Sequence, residues 1–321
     1  MVDLDREEHE LLARVARRWY VDRRTQGEIA AEFGLSRPKV QRLLDRARAT
    51  GVVEVHIEVP MGMDLDLEHR FVDLFGLKAA IVSPSVPDPD EQRVLVARRA
   101  ARYLEQLVGD GSVVAVSHGR DIGAVPRQFR PIGPIDCVFA SAMGGSPRVD
   151  APTNPNETCR SMAERSGGRA ESLYAPAYVE SAEVRDRLLE QDAVAHALKV
   201  AAGADVALVG MGGTDDACTM VRSGCLTRAE IRSLRRQGAV GDVLGNYVDI
   251  DGEHIVAPHS HRLIGLSIDD LRGIPTVVAV VSGDEKPRAI LGVLRAGIVD
   301  VLILDESNAQ TVLDLAQTGD N

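Results

Sequence analysis

The sequence lacks the features that would place the protein in a membrane or in an oxidising compartment. No apolar run approaches the roughly 20 residues that a membrane-spanning helix needs. The opening residues, MVDLDREEHE, are acidic and polar, which is the opposite of a signal peptide. The four cysteines, Cys137, Cys159, Cys218 and Cys225, form no CxxC pair. We therefore expect a cytoplasmic protein with no membrane partner and with reduced, mostly buried thiols.

Motifs for cofactors and metals are also missing. No stretch matches GxGxxG or a Walker loop, so nucleotide binding has little support. No histidine stands at zinc-ligand spacing from a cysteine, and the one compact pair, His259 and His261, is expected at a polar rim. The sequence thus predicts no cofactor and no metal.

Charge is distributed unevenly along the chain. The net charge is −11, but residues 1–59 hold 11 basic and 11 acidic residues, so the rest of the chain carries all of the excess. The segment from Arg14 to Arg48 contains ten basic and four acidic residues. Because 321 residues suit two domains, we predict a domain boundary between residues 59 and 60.

Residues 25–51, TQGEIAAEFGLSRPKVQRLLDRARATG, predict two short helices joined by a tight turn. Thr25 and Glu28 form a capping box for the first helix, and Gly34 suits a left-handed turn position. Ser36 is expected to cap the second helix. One apolar stripe follows along that helix at i, i+3, i+4 and i+7, namely Val40, Leu43, Leu44 and Ala47.

The opposite face of the second helix is basic, which favours a helix-turn-helix over a plain helical hairpin. Arginine and lysine contact phosphates, and arginine and glutamine also read base edges. The residues predicted to contact double-stranded operator DNA are Gln26, Ser36, Arg37, Lys39, Gln41 and Arg42. We further expect a preceding helix at 4–20 and a strand or short wing at 52–59.

After residue 78, short β-branched runs alternate with helical stretches. This pattern predicts a doubly wound, mainly parallel α/β sheet covered on both faces. The predicted strands are 78–83, 112–117, 135–140, 205–210, 262–268, 276–282 and 299–304.

Several predicted strands end in loops rich in glycine and small residues, where ligands of α/β proteins bind. Each loop taken singly is better explained as a turn than as a ligand site, but four together favour a pocket. The predicted effector-binding residues are Ser117, Gly119, Asp121, Gly144, Gly145, Asn154, Asn156, Glu157, Gly212 and Lys286.

Lys286 is one of only four lysines, and it falls at the start of a predicted helix. The helix dipole disfavours a cation there by ~0.3–1 kcal/mol. A bound sugar phosphate would reconcile the lysine with the dipole. The alternative is that the neighbouring Asp284 and Glu285 simply neutralise it.

Taken together, these stretches resemble the SorC family of bacterial sugar-responsive transcriptional regulators. The resemblance implies a DNA-binding domain at 1–59 and an effector-binding and oligomerisation domain at 60–321. It implies that the second domain has a fold similar to sugar-phosphate isomerases and deaminases, and that the protein is a homo-oligomer (dimer or tetramer). The segments that carry it are 25–44, 204–213, 238–252, 262–290 and 299–306.

The family motifs also imply roles for single residues. Lys286 and Gly145 fall where family members contact the effector phosphate, and Asn154–Glu157 matches an Asn-Ala-Asn-Glu-like element. Residues 117–121 correspond to a Ser-x-Gly-x-Thr turn, but Asp121 replaces the threonine. A carboxylate would repel a phosphate, so an unphosphorylated sugar or polyol whose hydroxyls bind Asp121 is the alternative effector.

The sequence therefore predicts a DNA-binding regulator of a carbohydrate catabolic operon, controlled by a sugar phosphate. A sugar-phosphate isomerase or deaminase is the competing class. Residues 210–216, GMGGTDD, lack the Asp-Gly-His run of the deaminases, and no nucleophile–base pair is recognisable. Both observations favour a sensor over an enzyme.

Overall fold

A computed structural model of the chain describes residues 6–53, 64–146, 154–283 and 286–318. The chain divides into two compact units, Met1–Val59 and Pro60–Asn321. The division falls at the boundary predicted from the sequence, and the roles of the two units stay predictions. Among the described helices, none combines the length and the apolar character needed to cross a bilayer.

The first unit contains three helices, α1 (Arg6–Tyr20), α2 (Gln26–Phe33) and α3 (Arg37–Ala49). The predicted capping box is confirmed: the Glu28 amide donates to the Thr25 hydroxyl, and the Glu28 carboxylate accepts from the Thr25 amide. Gly34 ends α2 at φ +64°, a left-handed conformation that glycine adopts without steric cost. Ser36 does occupy the N-cap of α3, but its side chain makes no capping hydrogen bond, so that expectation was wrong.

The three helices share one small apolar core. The predicted stripe of α3 is buried, and it packs against Leu12, Val15 and Ala16 of α1 and Ile29 and Ala30 of α2. Val52 and Val53 lie partly buried against this core without forming a strand. The rest of the predicted wing, 54–59, lies outside the described residues.

The second unit is built on a seven-stranded sheet in which every pairing is parallel, as the sequence predicted. The strand order is β1-β11-β10-β5-β2-β3-β4. Its strands are β1 (Ala79–Ser83), β2 (Val113–Val116), β3 (Val138–Ser141), β4 (Arg169–Glu171), β5 (Val206–Gly210), β10 (Thr276–Val280) and β11 (Val301–Asp305).

Two apolar clusters cover the two faces of this sheet. Side chains alternate along each strand, so Val278 and Val280 join one cluster while Val277 and Ala279 join the other. The helices of this unit are α4 (Leu65–Phe75), α5 (Pro89–Leu107), α6 (Arg120–Gln128), α7 (Pro155–Ser166), α8 (Ala182–Leu189), α9 (Asp192–Ala202), α10 (Thr219–Arg222), α11 (Arg228–Arg236), α12 (Ile268–Gly273), α13 (Pro287–Arg295) and α14 (Glu306–Thr318).

The structure corrects the predicted strands in three places, the first of which is β4, a strand that was not predicted. Residues 262–268 were predicted to be a strand, but Leu263 and Gly265 make only isolated bridges. A second, antiparallel sheet was not predicted, because its strands are too short to show a pattern. They are β6 (Gly212–Gly213), β7 (Gly241–Val243), β8 (Asn246–Val248) and β9 (His254–Ile255).

Candidate functional site

The parallel sheet has a switch point between β2 and β5. From β2 the chain continues through α6 to β3 on one side, whereas from β5 it continues toward β10 on the other. Loops that leave neighbouring strands in opposite directions open a crevice at the carboxyl ends of the strands, where α/β proteins bind ligands. The His118–Asp121 segment and the Gly210–Gly212 segment form that crevice here.

A cavity of about 620 Å³ opens from the crevice, and we call it the outer chamber. Cavities of roughly 300–1,000 Å³ are typical of small-molecule sites. Its walls come from the loops that follow β1, β2, β5, β10 and β11. The lining residues are Ser85, Val86, Pro87, Pro89, Gln92, Arg93, Arg120, Gly212, Gly213, Asp215, Ala217, Cys218, Thr219, Arg222, Ser282, Gly283, Lys286 and Ser307.

The described lining of the outer chamber is strongly cationic. Arg93, Arg120, Arg222 and Lys286 contribute positive side chains, and Asp215 contributes a negative one. The lining is positive although the whole chain has a net charge of −11. A cleft lined by one sign of charge raises the local concentration of the opposite ion. The chamber therefore suits an anionic small molecule. Asp284 and Glu285, the predicted neutralisers of Lys286, lie outside the described residues.

Asp121 lies behind this wall, buried in the first turn of α6. Its carboxylate accepts hydrogen bonds from the Ser282 hydroxyl at 2.7 Å, the Ser282 amide at 3.2 Å and Lys286 Nζ at 3.0 Å. Arg93 Nε lies 3.4 Å from Oδ1. With these four contacts the carboxylate is already engaged, and so it offers little to a sugar hydroxyl.

These contacts keep Asp121 ionised. Burial alone would raise the pKa of Asp121, but the charge of Lys286, the hydrogen bonds from Ser282 and Lys286, and the charge of Arg93 together lower it. The buried negative charge of Asp121 thus lies next to two cations, Arg93 and Lys286. Arg93 also pairs with Asp90, but that carboxylate is 91% exposed and does not line the outer chamber. Asp121 therefore does not make the wall anionic.

A smaller inner chamber, about 30 Å³, continues from the outer one and has room for little more than a water molecule. Gly212 lines both chambers, and a Cβ atom there would stand 2.1 Å from Asp242 Oδ1, so only glycine fits. Burial raises the pKa of Asp242 to about 6, against the lowering effects of the Gly245 amide and Lys286. The Gly245 amide, 2.9 Å from Asp242 Oδ2, holds the β7–β8 turn in place.

His118 also lines the inner chamber. Its Nδ1 is buried and has no hydrogen-bond partner in the part of the chain that the structure describes. Burial lowers the pKa of His118 to about 4, so the ring is neutral at physiological pH. An uncharged imidazole nitrogen that lacks a partner is able to bond a hydroxyl group or a water.

Four of the ten predicted effector residues, Gly119, Asp121, Gly212 and Lys286, line one or both chambers. Ser117 lies just below them, where its hydroxyl accepts from the Gly210 amide at 3.0 Å and ties the end of β2 to the end of β5.

The other five predicted residues lie beyond the end of β3 and line neither chamber. The amides of Gly144 and Gly145 donate to the Ile264 and Ala175 carbonyls, each at 2.9 Å, and so are not directed at an anion. A Cβ atom on Gly144 would stand 2.4 Å from the carbonyl carbon of Pro176, which explains that glycine by packing.

The three predicted residues of α7 also have structural partners. The Asn154 side chain caps the helix by accepting from the Asn156 amide at 3.0 Å. Asn156 bonds the Leu173 amide at 3.0 Å and the Leu173 carbonyl at 3.1 Å. Glu157 pairs with Arg160 on the same helix. Their predicted contact with an effector finds no support in this arrangement.

The outer chamber also contains residues that sequence reasoning missed. Arg93 follows β1, and Arg222 lies in the short helix α10. Neither belongs to a glycine-rich loop, and arginines are frequent on exposed helices. Their position on one cavity wall becomes visible only when the strand-end loops are brought together.

The candidate DNA-contacting residues lie on an exposed surface of the first unit. Ser36, Arg37, Lys39, Gln41 and Arg42 are exposed on α3 or at its N-cap. Gln26 Nε2 donates to Gln41 Oε1 at 2.5 Å, which joins the start of α2 to this surface, and Gln41 also bonds Asp45 at 2.8 Å.

The cysteines and histidines give no sign of a metal centre in the described residues. All four cysteines are free and buried, as predicted. No group of three or more potential ligands is present within the described ranges. His259 was expected at a polar rim, but it is buried edge-on against Tyr247, with ring centroids 5.7 Å apart.

Comparison with known proteins places the chain among bacterial regulators. A family model described as "Putative sugar-binding domain" matches residues 59–314. The transcriptional regulator LsrR of Klebsiella pneumoniae is 32% identical over 96% of this chain and 94% of its own length. The erythritol catabolism regulatory protein EryD of Brucella abortus is 29% identical, over 94% and 96% of the two chains.

Solved structures agree with this placement. The sugar-binding domain of a Vibrio fischeri transcriptional repressor is 36% identical, with a TM-score of 0.73 over 79% of this chain and all of its own. The full-length sorbitol operon regulator SorC of Klebsiella pneumoniae has the same fold, with a TM-score of 0.74 over 96% of this chain and 99% of its own at 24% identity. The protein therefore belongs to the SorC family of transcriptional regulators, whose members carry this sugar-binding domain.

Proposed function

We propose that this protein binds operator DNA through α3 and that a sugar phosphate, bound in the outer chamber, controls that binding. The observation that carries the effector assignment is the cationic wall formed by Arg93, Arg120, Arg222 and Lys286. A neutral sugar or polyol needs hydrogen-bonding groups of both kinds but no excess of positive charge. A phosphate makes use of that excess through charge-assisted hydrogen bonds.

The names of relatives support a carbohydrate effector. They include regulators of erythritol catabolism and of deoxyribonucleosides, and the operon regulator for sorbitol. An unphosphorylated sugar or polyol is the second candidate, and one observation favours it: Lys286 is already paired with Asp121. Since ammonium groups have three donors, that pairing leaves two for a phosphate, and we favour the phosphate.

The DNA-binding assignment rests on the N-terminus of α3. No acidic residue lies in its first turn, and the Ser36 side chain does not cap it. With no carboxylate there, the positive charges of Arg37 and Lys39 are not offset in this turn, and cationic side chains bind the phosphate groups of DNA. We propose that Arg37, Lys39, Gln41 and Arg42 contact the major groove, with Gln26 and Ser36 at the DNA backbone.

We further propose that the protein acts as a homo-oligomer, a dimer or a tetramer, and that it is not an enzyme. Paired recognition helices would then read two half-sites of one operator. The outer chamber presents cations and hydroxyl-binding groups. His118 and Asp242, two groups with shifted pKa values, line the inner chamber, which has room for little more than a water molecule. This arrangement suits binding rather than the general acid–base chemistry of an isomerase.

Two measurements test the proposed function. Selection from a random DNA library is expected to enrich a sequence with two related half-sites. In a thermal-shift screen of four- to six-carbon sugars, polyols and their phosphates, phosphates are expected to raise the melting temperature most, because ligands that bind only the folded state stabilise it. Stabilisation by a free sugar but not by its phosphate would favour the second candidate.

A further inference from the structure

We propose that Asp121 is a positioning residue that holds Arg93 and Lys286 as a cation clamp for the anionic group of the effector. The inference rests on the proposed sugar-phosphate function. It assigns a role to a carboxylate whose negative charge alone would weaken phosphate binding. The cation clamp is defined as Arg93, Asp121 and Lys286.

The clamp joins three separate strand-end loops. Arg93 lies on α5, which follows β1; Asp121 lies on α6, which follows β2; and Lys286 precedes α13, which follows β10. The arginine and the lysine lie on separate elements that are far apart in sequence. Arg93 Nη1 also pairs with Asp90 on its own helix at 2.5 Å, but that carboxylate is 91% exposed. Asp121 is the carboxylate that lies close to both cations, 3.4 Å from Arg93 Nε and 3.0 Å from Lys286 Nζ.

The carboxylate itself is fixed. The amide and the hydroxyl of Ser282, at the end of β10, each donate to one of its oxygens. Asp121 side-chain exposure is 8%, which leaves it little freedom to turn toward the chamber. The carboxylate therefore serves as a rigid anchor behind the wall, and it is not itself a ligand contact.

The two cations remain accessible to the chamber. The side chains of Arg93 and Lys286 are 17% and 18% exposed, and both line the outer chamber. Lysine and arginine have several donors each, so one contact with Asp121 does not exhaust either. Long, flexible side chains lose conformational entropy on binding, and holding them in advance reduces that cost.

The clamp and a simple charge effect predict opposite outcomes when the carboxylate is neutralised. Asp121→Asn makes the site more positive by one unit, so a purely Coulombic carboxylate would give tighter anion binding. In the clamp, the same substitution releases Lys286 and leaves Arg93 held only by the exposed Asp90, so the two cations move apart. We expect anion affinity to fall by about tenfold, against the direction of the charge change.

The chain offers a matched control in Asp215. This residue lines the same chamber but is more exposed. It accepts a hydrogen bond from the Ala217 amide at 2.7 Å and makes no ion pair with either clamp cation. Asp215→Asn removes the same charge without releasing a cation. Its anion affinity is expected to equal or exceed that of the wild type.

The test uses inorganic phosphate as the probe, titrated against the full-length protein at constant ionic strength with sodium chloride as the reference. Dissociation constants come from phosphate-dependent stabilisation. A double-mutant cycle with Lys286→Ala shows whether Asp121 acts through the lysine, because coupled residues are not additive. We expect Asp121→Asn to have much less effect in the Lys286→Ala background, where Arg93 is the only clamp cation left to release.

The outcomes separate the two proposals. If the wild type does not bind phosphate, the sugar-phosphate function and the clamp both fail. If the wild type binds and Asp121→Asn binds equally well or more tightly, the clamp alone is overturned. Should Asp121→Asn not fold, Ser282→Ala removes the 2.7 Å hydroxyl donor instead. It is expected to weaken phosphate binding about threefold, and unchanged or tighter binding would contradict the clamp.

Discussion

The two units present their positive charge in different ways. Arg37, Lys39 and Arg42 on α3 are exposed, and within the described part of the chain Arg37 and Lys39 have no ion pair. In the larger unit, Arg93 and Lys286 are mostly buried and share the carboxylate of Asp121. Exposed cations are screened by salt, whereas buried ones are screened much less. The first arrangement suits a long polyanion, and the second suits a small, specific anion.

The largest expected effect concerns the exposed cations of α3 and their binding to DNA. Changing both Arg37 and Arg42 to alanine should weaken operator binding by at least about 30-fold, since each arginine–base contact contributes ~1–3 kcal/mol. The salt dependence should also become shallower. The measurement is fluorescence anisotropy with the selected operator. Arg14→Ala with Arg17→Ala makes the same charge change on exposed positions of α1; an equal loss in that variant would show that charge alone matters.

An intermediate effect is expected for the mostly buried Lys286 and its binding to the effector. Lys286→Ala should weaken binding of a sugar phosphate by ~1.5–3 kcal/mol, the range for a hydrogen bond to a charged group. The same substitution should weaken binding of the corresponding unphosphorylated sugar far less. Isothermal titration of both ligands provides the comparison, and equal losses for the two would mean that Lys286 does not contact the phosphate.

The smallest expected effect concerns stability and pH. The folded-state pKa of Asp242 is raised to about 6, above its usual 3.8, so the folded protein holds this proton more tightly than the unfolded chain does. Its stabilising contribution is present below about pH 4 and is lost as the pH rises through about 6. Asp242→Asn, which keeps an acceptor for the Gly245 amide, should therefore exceed the wild type in stability by ~1–3 kcal/mol at pH 8 and match it near pH 4.

Urea unfolding at the two pH values measures this difference. Asp269→Asn is the control, because that carboxylate is 90% exposed. Exposed substitutions of this kind usually change stability by less than ~0.5 kcal/mol. A pH-independent gap for Asp242→Asn would show that the carboxylate does not titrate as described.

Local patterns in the sequence predicted local structure well. The Thr25–Glu28 capping box, the left-handed Gly34 and the buried stripe of α3 all depend on residues within one or two turns of each other. The parallel sheet was predictable for a related reason, since strands buried on both faces are continuously apolar.

The candidate site depends on contacts that are distant in sequence. Asp121 lies 28 residues from Arg93 and 165 residues from Lys286, so its partners could not be inferred from any motif. Gly144 was a reasonable candidate for anion binding, but its small size is explained by the Pro176 backbone. The two-residue strand β6, which shapes the inner chamber, is too short to leave a pattern.

The central claim is that a small anion bound in the larger unit changes how the first unit binds DNA. The most direct measurement is the operator dissociation constant of the full-length protein with and without a saturating sugar phosphate. We expect a change of about 5- to 150-fold, and DNA should change the affinity for the sugar phosphate by the same factor. An operator affinity that stays constant while the sugar phosphate stabilises the protein would contradict the account.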